Sequence, residues 1–392
     1  MISKPLNEIA ESDIRGLKEA GIEEGKTIEY KRELPGGRDD EKREFLADVS
    51  SFANTEGGDV VYGVAEDQGV IIDIVGLSSS DFDAEILRLE NLIRDGISPR
   101  ISTGFRVVPC SSGKLLVIRI EKSWIGPHRV IFRGHDKFYA RTSAGKFPLD
   151  VNQLRTAFLQ SATLSEQIIG FRLDRIVDIA NDRAPLPLAK DPKLILHIVP
   201  LGALSGQVQF DVTAFHRNPT LHRPWNVSGW DRRMTFDGAM LYTPSNADGT
   251  FKSYTHFFRN GILEAVTTSL LENRQVPGYR LIPHGLFEDE VLEYLPNCFR
   301  SLEEIGVRPP ASDALTLIGV RGLRMASGAF SLDRGNEMRE DTLIIPGTIV
   351  ESFSEPAHTI LKPMFDRIWN ACGLLGSPNF DDKGNWSPRR GY

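Results

Sequence analysis

Between residues 39 and 64 the chain allows few structures. From Asp39 or Asp40, Phe45, Leu46, Val49, Phe52 and Ala53 recur at helical spacing, while Lys42, Arg43 and Asp48 fall off that stripe. Asn54 and the pair Gly57-Gly58 stop the helix, and Val60-Val61-Tyr62-Gly63-Val64 then reads as a buried strand. A helix reversed within a few residues onto an apolar strand must pack on the sheet that strand joins. The fold class predicted is therefore α/β (α+β), a mixed sheet with flanking helices.

The flanking segments extend this unit. Ser12 can cap a short helix carrying Ile14, Leu17 and Ala20, and Lys26–Lys31 alternates as a strand before the turn Pro35-Gly36-Gly37. Asp67-Gln68-Gly69 reads as a tight turn into Val70–Val75, followed by a helix from about Asp81 to Asp95. Strands are expected at Phe105–Val108, Leu115–Ile120 and Lys137–Arg141, and a closing helix from about Val151 to Leu159. The organisation predicted is a first domain over 1–162, a helical connector and Pro-rich linker over 163–192, a second mixed α/β domain over 193–376, and a loosely held polar tail over 377–392. In the second half, Phe257–Val266 reads as a hairpin around Asn260-Gly261, and Trp225, Trp230, Arg232 and Arg233 form either a recognition loop or core packing.

Composition narrows the function. With 41% hydrophobic and 25% charged residues the chain is an ordinary globular one, and no apolar run is long enough to cross a membrane. The first residues turn acidic before any apolar block, which argues against a secretory leader. Cys110, Cys298 and Cys372 are too few and too scattered for a disulfide framework or a cysteine-bound zinc, so a reducing, cytoplasmic setting is expected. The net charge is −7, yet Arg100–Lys146 is strongly basic. Arg100, Arg106, Arg129, Arg133 and Lys146 in that stretch are candidate nucleic-acid contacts, or the decoration of a solvated sheet edge. Tyr139 and Arg141 share a strand face and could stack on a base and hold a phosphate, or simply pack. His128 is expected to be structural rather than a proton shuttle.

Glu29 and Lys31 project from one face of a strand about 7 Å apart. A carboxylate beside an ammonium on a rigid strand suits phosphodiester chemistry, the oxygens holding a hard divalent ion. Glu24 stands at a turn before Gly25, and Glu66 and Asp67 end the next strand-like run. If these strands are neighbours, their acidic ends converge, and mutual repulsion would be relieved by Mg²⁺ or Mn²⁺. The same residues also read as independent, solvated turn residues.

GKTIEYKREL followed by FLADVSSFANTEGGDVVYGVAEDQG resembles the Schlafen AlbA-like domain. PRIS at Pro99–Ser102, SWIGPHRV at Ser123–Val130 and FYARTSAGK at Phe138–Lys146 resemble its bacterial branch, so the likeness spans residues 10–160. The resemblance implies a metal-dependent endoribonuclease using three carboxylates, which by motif fall on Glu24, Glu29 and Glu66, with Asp67 the alternative third and Lys31 the companion base. It implies a nucleic-acid partner, RNA favoured over DNA, and a place in bacterial defence or stress response. Bacterial members have also been described as DNA-binding or AAA-like ATP-binding domains, but no G-x-x-x-x-G-K-[ST] loop exists here. Animal Schlafens enclose RNA between two related lobes. With one copy, this chain is expected to homodimerise or to use its second half as the other wall, and that half could also recruit a protein partner. The competing expectation is a non-catalytic nucleic-acid- or nucleotide-binding regulatory module.

Overall fold

The computed structural model describes every residue except 79–80, 206–208, 219, 226–228, 272–279, 327–334 and 389–392. The chain divides into two units, Met1–Leu164 and Ser165–Tyr392, and its fold is α+β.

The first unit is built on a four-stranded sheet. β1 (Ile28–Lys31) runs parallel to β2 (Gly58–Tyr62), which pairs antiparallel with β7 (Gly113–Ile120), and β7 with β6 (Thr103–Cys110). Alternation along the strands gives two cores. Val60, Tyr62, Leu116 and Ile118 pack with Phe45, Val49 and Phe52 of α2 (Asp39–Ala53) and Leu89 and Ile93 of α3 (Phe82–Gly96). On the opposite face Ile28, Tyr30, Val61 and Val117 pack with Ile14 of α1 (Glu11–Glu19) and with Val64, Ile71 and Ile74 of the hairpin β3 (Val64–Asp67) and β4 (Val70–Ile74). A second sheet, in the order β10-β9-β8-β5, joins β5 (Ile97–Ser98), β8 (Arg129–Phe132), β9 (His135–Thr142) and β10 (Gly145–Pro148).

Several local expectations change. α1 begins at Glu11, one residue before the proposed Ser12 cap, because the Asp13 carboxylate accepts the Ala10 N–H at 2.9 Å. Gly63 (φ +97°) separates β2 from β3, and a Cβ there would meet Leu115 at 2.8 Å. Gly58 packs against protein, not ligand: an added Cβ would lie 2.3 Å from the Phe52 ring. The glycine pair is thus a close helix-to-strand contact. Part of the basic run is internal as well, since Arg119 pairs with buried Asp59 at 2.8 Å. The helix expected at 151–159 and the helical start of the connector expected over 163–192 are one continuous helix, α4 (Val151–Ala180).

In the second unit an antiparallel sheet has the order β12-β13-β14-β15-β11-β17-β19, with β20 also on β17. Its strands are β11 (Lys193–Pro200), β12 (Asp231–Met234), β13 (Gly238–Tyr242), β14 (Ser253–Phe258), β15 (Leu263–Thr267), β17 (Ala311–Ile318), β19 (Thr342–Ile344) and β20 (Thr348–Val350). The short α5 (Ala214–Arg217), the parallel pair β16 (Arg280–Pro283) and β18 (Leu323–Ala326), α6 (His284–Glu304) and α7 (Ala357–Asn370) complete it. Residues of α6 and α7 share one core with Leu196, Ile198 and Leu315, while Ile176 and Ile179 of α4 pack with Ile195, Tyr254 and Val266. The Asn260-Gly261 hairpin is present.

Two boundaries differ from expectation. Leu186 and Leu188 of the supposed linker are buried in the second unit. The supposedly loose tail is pinned: buried Glu288 accepts from Trp369 Nε1, Ser377 Oγ and Asn379 Nδ2.

Candidate functional site

β1 places Glu29 and Lys31 on the α2 side of the sheet, as strand alternation requires, with Lys31 Nζ donating to Glu29 Oε1 at 2.5 Å. α2 and the turn that ends it present a polar stripe toward them: Glu44, Asp48 and Ser51 of the helix and Thr55 just beyond it stand at i, i+4, i+7 and i+11. The last strands of the unit reach into that stripe. Arg141 of β9 pairs with Glu29, donates from Nε to the Gly25 carbonyl at 3.1 Å, and lies over the Phe52 ring at 3.8 Å. Its backbone N–H donates to Thr55 Oγ1. Lys146 of β10 pairs with Glu44, and with Asp48 at 2.6 Å.

These groups border a pocket of about 510 Å³, whose lining includes Glu23, Glu24, Glu29, Glu44, Asp48, Arg141 and Lys146 and the turn residues Gln68 and Gly69. Carboxylates outnumber cations in this lining. Burial raises the pKa of Glu24; its bond from the Tyr30 N–H at 2.6 Å opposes that, and the charges of Glu29 and Glu66 push it further up. Burial also drives Asp48 up to about 6, more than Lys146 can offset. Glu29 is likewise buried, but Lys31 and Arg141 outweigh the burial and hold it below the usual carboxylate range. Burial works against charge on Lys31, but Asp48 and Glu29 outweigh it and keep the ammonium protonated.

Of the residues chosen from sequence, Glu24, Glu29, Lys31, Arg141 and Lys146 come together here. Glu66 is exposed on the β3–β4 hairpin and accepts the Gly69 N–H at 2.8 Å, close enough to act on Glu24 through its charge but outside the lining; Asp67 is exposed beside it. Glu29 commits one oxygen to Lys31 and the other to Arg141, and among the described residues no three His, Cys, Asp or Glu side chains are grouped to hold a metal ion. The remaining basic candidates lie elsewhere. Arg100 is exposed, and Arg106 has a buried Nε with no partner among the described residues. Arg129 pairs with Asp136 at 3.0 Å and Arg133 with Asp39 at 2.5 Å.

Tyr139 belongs to a second feature. His135, Lys137, Tyr139 and Arg141 alternate along one face of β9, from its first residue to the pocket. The His135 and Tyr139 rings stack at 6.0 Å and 13°, sharing a 2.8 Å hydrogen bond between Nε2 and Oη. Burial, then the charges of Lys137 and Arg43, hold His135 below its usual range, which leaves the ring neutral at neutral pH. Neither Arg43 nor Lys137 has an ion-pair partner among the described residues.

Two residues prominent in the sequence turn out to be structural. Asn54 clamps strand to strand, donating from Nδ2 to the carbonyls of His128 and Tyr139 and accepting the His128 N–H at Oδ1. Buried His128 spends Nδ1 on the Pro99 carbonyl and Nε2 on Ser123 Oγ, and burial lowers its pKa.

The family model described as Schlafen, AlbA_2 matches residues 24–150, the span that supplies the pocket and the β9 stripe. The first unit carries a Schlafen AlbA_2 domain. That ties the chain to nucleic-acid-related function. No curated protein matches the chain. Among solved structures, the DIP2311 protein of Corynebacterium diphtheriae is similar at 18% identity and a TM-score of 0.25, over 35% of this chain and 26% of that one. The N-terminal domain of a RecG-related protein from Nitrosomonas europaea, named for an ATP-dependent DNA helicase, is similar at 22% identity and a TM-score of 0.24, over 29% of this chain and 74% of that one. The chain thus spans about a quarter of the first structure. Among the described residues no helix is long and apolar enough to cross a membrane.

Proposed function

We propose that the Schlafen AlbA_2 domain binds single-stranded nucleic acid along β9. The observation that carries this is the stacked His135–Tyr139 pair beside Arg43 and Lys137, cations with no ion-pair partner among the described residues. Aromatic faces accept any base, worth about 1–3 kcal/mol each, and the two cations answer the backbone phosphates. The acidic pocket at the end of the stripe is a poor seat for a phosphate by itself, so the strand lies over its mouth rather than inside.

A second reading, the Mg²⁺- or Mn²⁺-dependent endonuclease, is favoured by one observation: the excess of carboxylates in the pocket, with Glu24 under the charge of Glu29 and Glu66. It requires Glu29 to give up Lys31 or Arg141. RNA as the preferred substrate and pairing of two protomers into one groove are separate proposals, tested by the RNA and DNA arms below and by light scattering of the purified chain.

The test is fluorescence anisotropy with labelled single-stranded RNA, single-stranded DNA and duplex DNA, in Mn²⁺ and in EDTA, with the probes then run on a denaturing gel. Single strands should bind better than duplex, and Tyr139→Leu should weaken them about fivefold or more. Arg43→Ala with Lys137→Ala should lower the salt slope by about 1.4, the value for two phosphate contacts on a single strand. Equal binding of single strand and duplex, or no effect of Tyr139→Leu, would overturn the interface. Fragments in Mn²⁺ but not in EDTA would support the endonuclease.

A further inference from the structure

In the second unit, β12 and β13 form a hairpin whose turn, Thr235–Asp237, holds a large aromatic ring out in solvent. Phe236 is 100% exposed, which among the large apolar side chains of the described residues only Leu375 shares. Turns favour small or polar residues, so neither turn chemistry nor packing accounts for a phenylalanine there. The turn is nevertheless fixed. The Thr235 N–H donates to the Gly238 carbonyl, and the backbone N–H of Arg259, just past β14, donates to the Asp237 carbonyl, both at 2.8 Å. Arg259 Nε donates to the Phe236 carbonyl at 3.4 Å. Thr235 Oγ1 donates to Asp237 Oδ1 at 3.0 Å and shares a 2.9 Å hydrogen bond with Nε2 of buried His256. A ring presented this way loses little freedom when a ligand covers it.

The charges around it point to a polyanion. Arg232 and Arg233, part of the stretch that reads from sequence as a recognition loop or core packing, are successive on β12, so their side chains leave opposite faces of the ribbon. Trp225 of that stretch belongs to the core, buried and stacked on Tyr294 at 4.2 Å. Arg233 donates to the Pro185 carbonyl at 2.8 Å. Neither arginine, nor Arg259, has an ion-pair partner among the described residues. The two carboxylates of the hairpin accept locally, Asp231 from the Arg232 N–H and Asp237 from Thr235. A projecting ring with guanidiniums on both sides matches an unpaired base with a phosphate before and after it. A lipid bilayer fits less well, because Asp237 would follow its neighbour Phe236 into the apolar layer, whereas base edges offer amino hydrogens to a carboxylate. We propose that the β12–β13 hairpin is a second contact for single-stranded nucleic acid, with Phe236 stacked on an unpaired base and Arg232, Arg233 and Arg259 on the flanking phosphates. It shares its ligand class with the β9 interface but no residue, so either can fail alone.

The experiment is photocrosslinking of the full chain to single-stranded RNA and DNA oligonucleotides carrying 5-bromouracil, with the crosslinked peptides mapped by mass spectrometry and affinity read in parallel by anisotropy. Phe236 should crosslink in the wild-type chain and equally in Tyr139→Leu. Adding Phe236→Ala to Tyr139→Leu should abolish that crosslink and weaken the remaining binding about fivefold or more. The ring is fully exposed, so the melting point should not move. Crosslinks confined to β9, with affinity indifferent to Phe236→Ala, would overturn the hairpin contact and leave the β9 interface standing; crosslinks at Phe236 with none at Tyr139 would do the reverse. Pelleting with phosphatidylserine-containing vesicles that is lost in Phe236→Ala, without any crosslink at Phe236, would identify a lipid surface and overturn the proposal.

Discussion

Replacing Glu29 with alanine should destabilise the Schlafen AlbA_2 domain before it reports on any activity. The Glu29 side chain is 12% exposed and that of its partner Arg141 is 1% exposed, so the pair is buried. Without Glu29 the Arg141 guanidinium keeps, among the described residues, only the Gly25 carbonyl, a marginal bond to Ser51 Oγ and the Phe52 ring, with no opposite charge in contact. Removing one partner of a buried pair costs about 3–5 kcal/mol. The lower figure applies here, because Lys31 is also released and the open pocket admits water. For a unit of this size that corresponds to a melting point lower by roughly 6–12 °C.

Because the chain has two units, a single melting curve mixes them. Hydrogen exchange of peptides covering β1, α2 and β9 reads the first unit alone. Glu29→Ala should speed exchange in all three, whereas Glu66→Ala, which loses one exposed bond to the Gly69 N–H, should change stability by less than about 0.5 kcal/mol. Glu29→Leu combined with Arg141→Met removes both charges and should recover much of the loss. A Glu29→Ala protein with wild-type protection and melting point would refute the buried-pair argument.

Three further outcomes are expected. Asp48, held up near pH 6 by burial, binds its proton more tightly folded than unfolded, so its contribution falls as pH rises from about 4 to about 6. Glu29, held low, has the opposite sign, stabilising above the usual carboxylate range and losing its effect as pH falls below it. Asp48→Asn should therefore flatten the loss between pH 4 and 6 in denaturant midpoints, and an unchanged slope would contradict the assignment. Asn54→Ala, which gives up bonds to His128 and Tyr139 on separate segments, should cost about 3 kcal/mol by urea unfolding, at about 1 kcal/mol per bond. Glu288→Ala should release the tail, making residues 377–388 a site of limited proteolysis while the rest of the second unit stays resistant.

The first unit's fold was legible because its signals are local. Helical spacing over 45–53, the Gly57-Gly58 reversal and the Asp67–Gly69 turn each depend on residues a few positions apart, and α2, β2 and the β3–β4 hairpin follow from them. What was missed depends on distant partners. β8 and β10 are short strands defined by pairing with β9, and the first carries too little alternation to stand out. Likewise 184–192 looks like a linker by its prolines, yet two leucines inside it find a core that only the folded second unit supplies.

The site divides along the same line. Glu29 and Lys31 announce themselves on one strand, but their meaning is set by Arg141 and Lys146, more than a hundred residues downstream in a segment that reads as a solvated basic edge. One usable signal went unread. Polar residues at 44, 48, 51 and 55 repeat at the same helical period as the apolar stripe, and a second stripe of small and acidic side chains on a sheet-covering helix has to face something polar. Had that period been followed, Asp48 would have joined Glu24 and Glu29 from the sequence alone, in place of the exposed Glu66 and Asp67. The distinction matters for chemistry. Carboxylates on a hairpin tip can swing freely to a metal ion, whereas Asp48 is fixed by a helix and by Lys146, so any cation entering this pocket must compete with side chains already bound there.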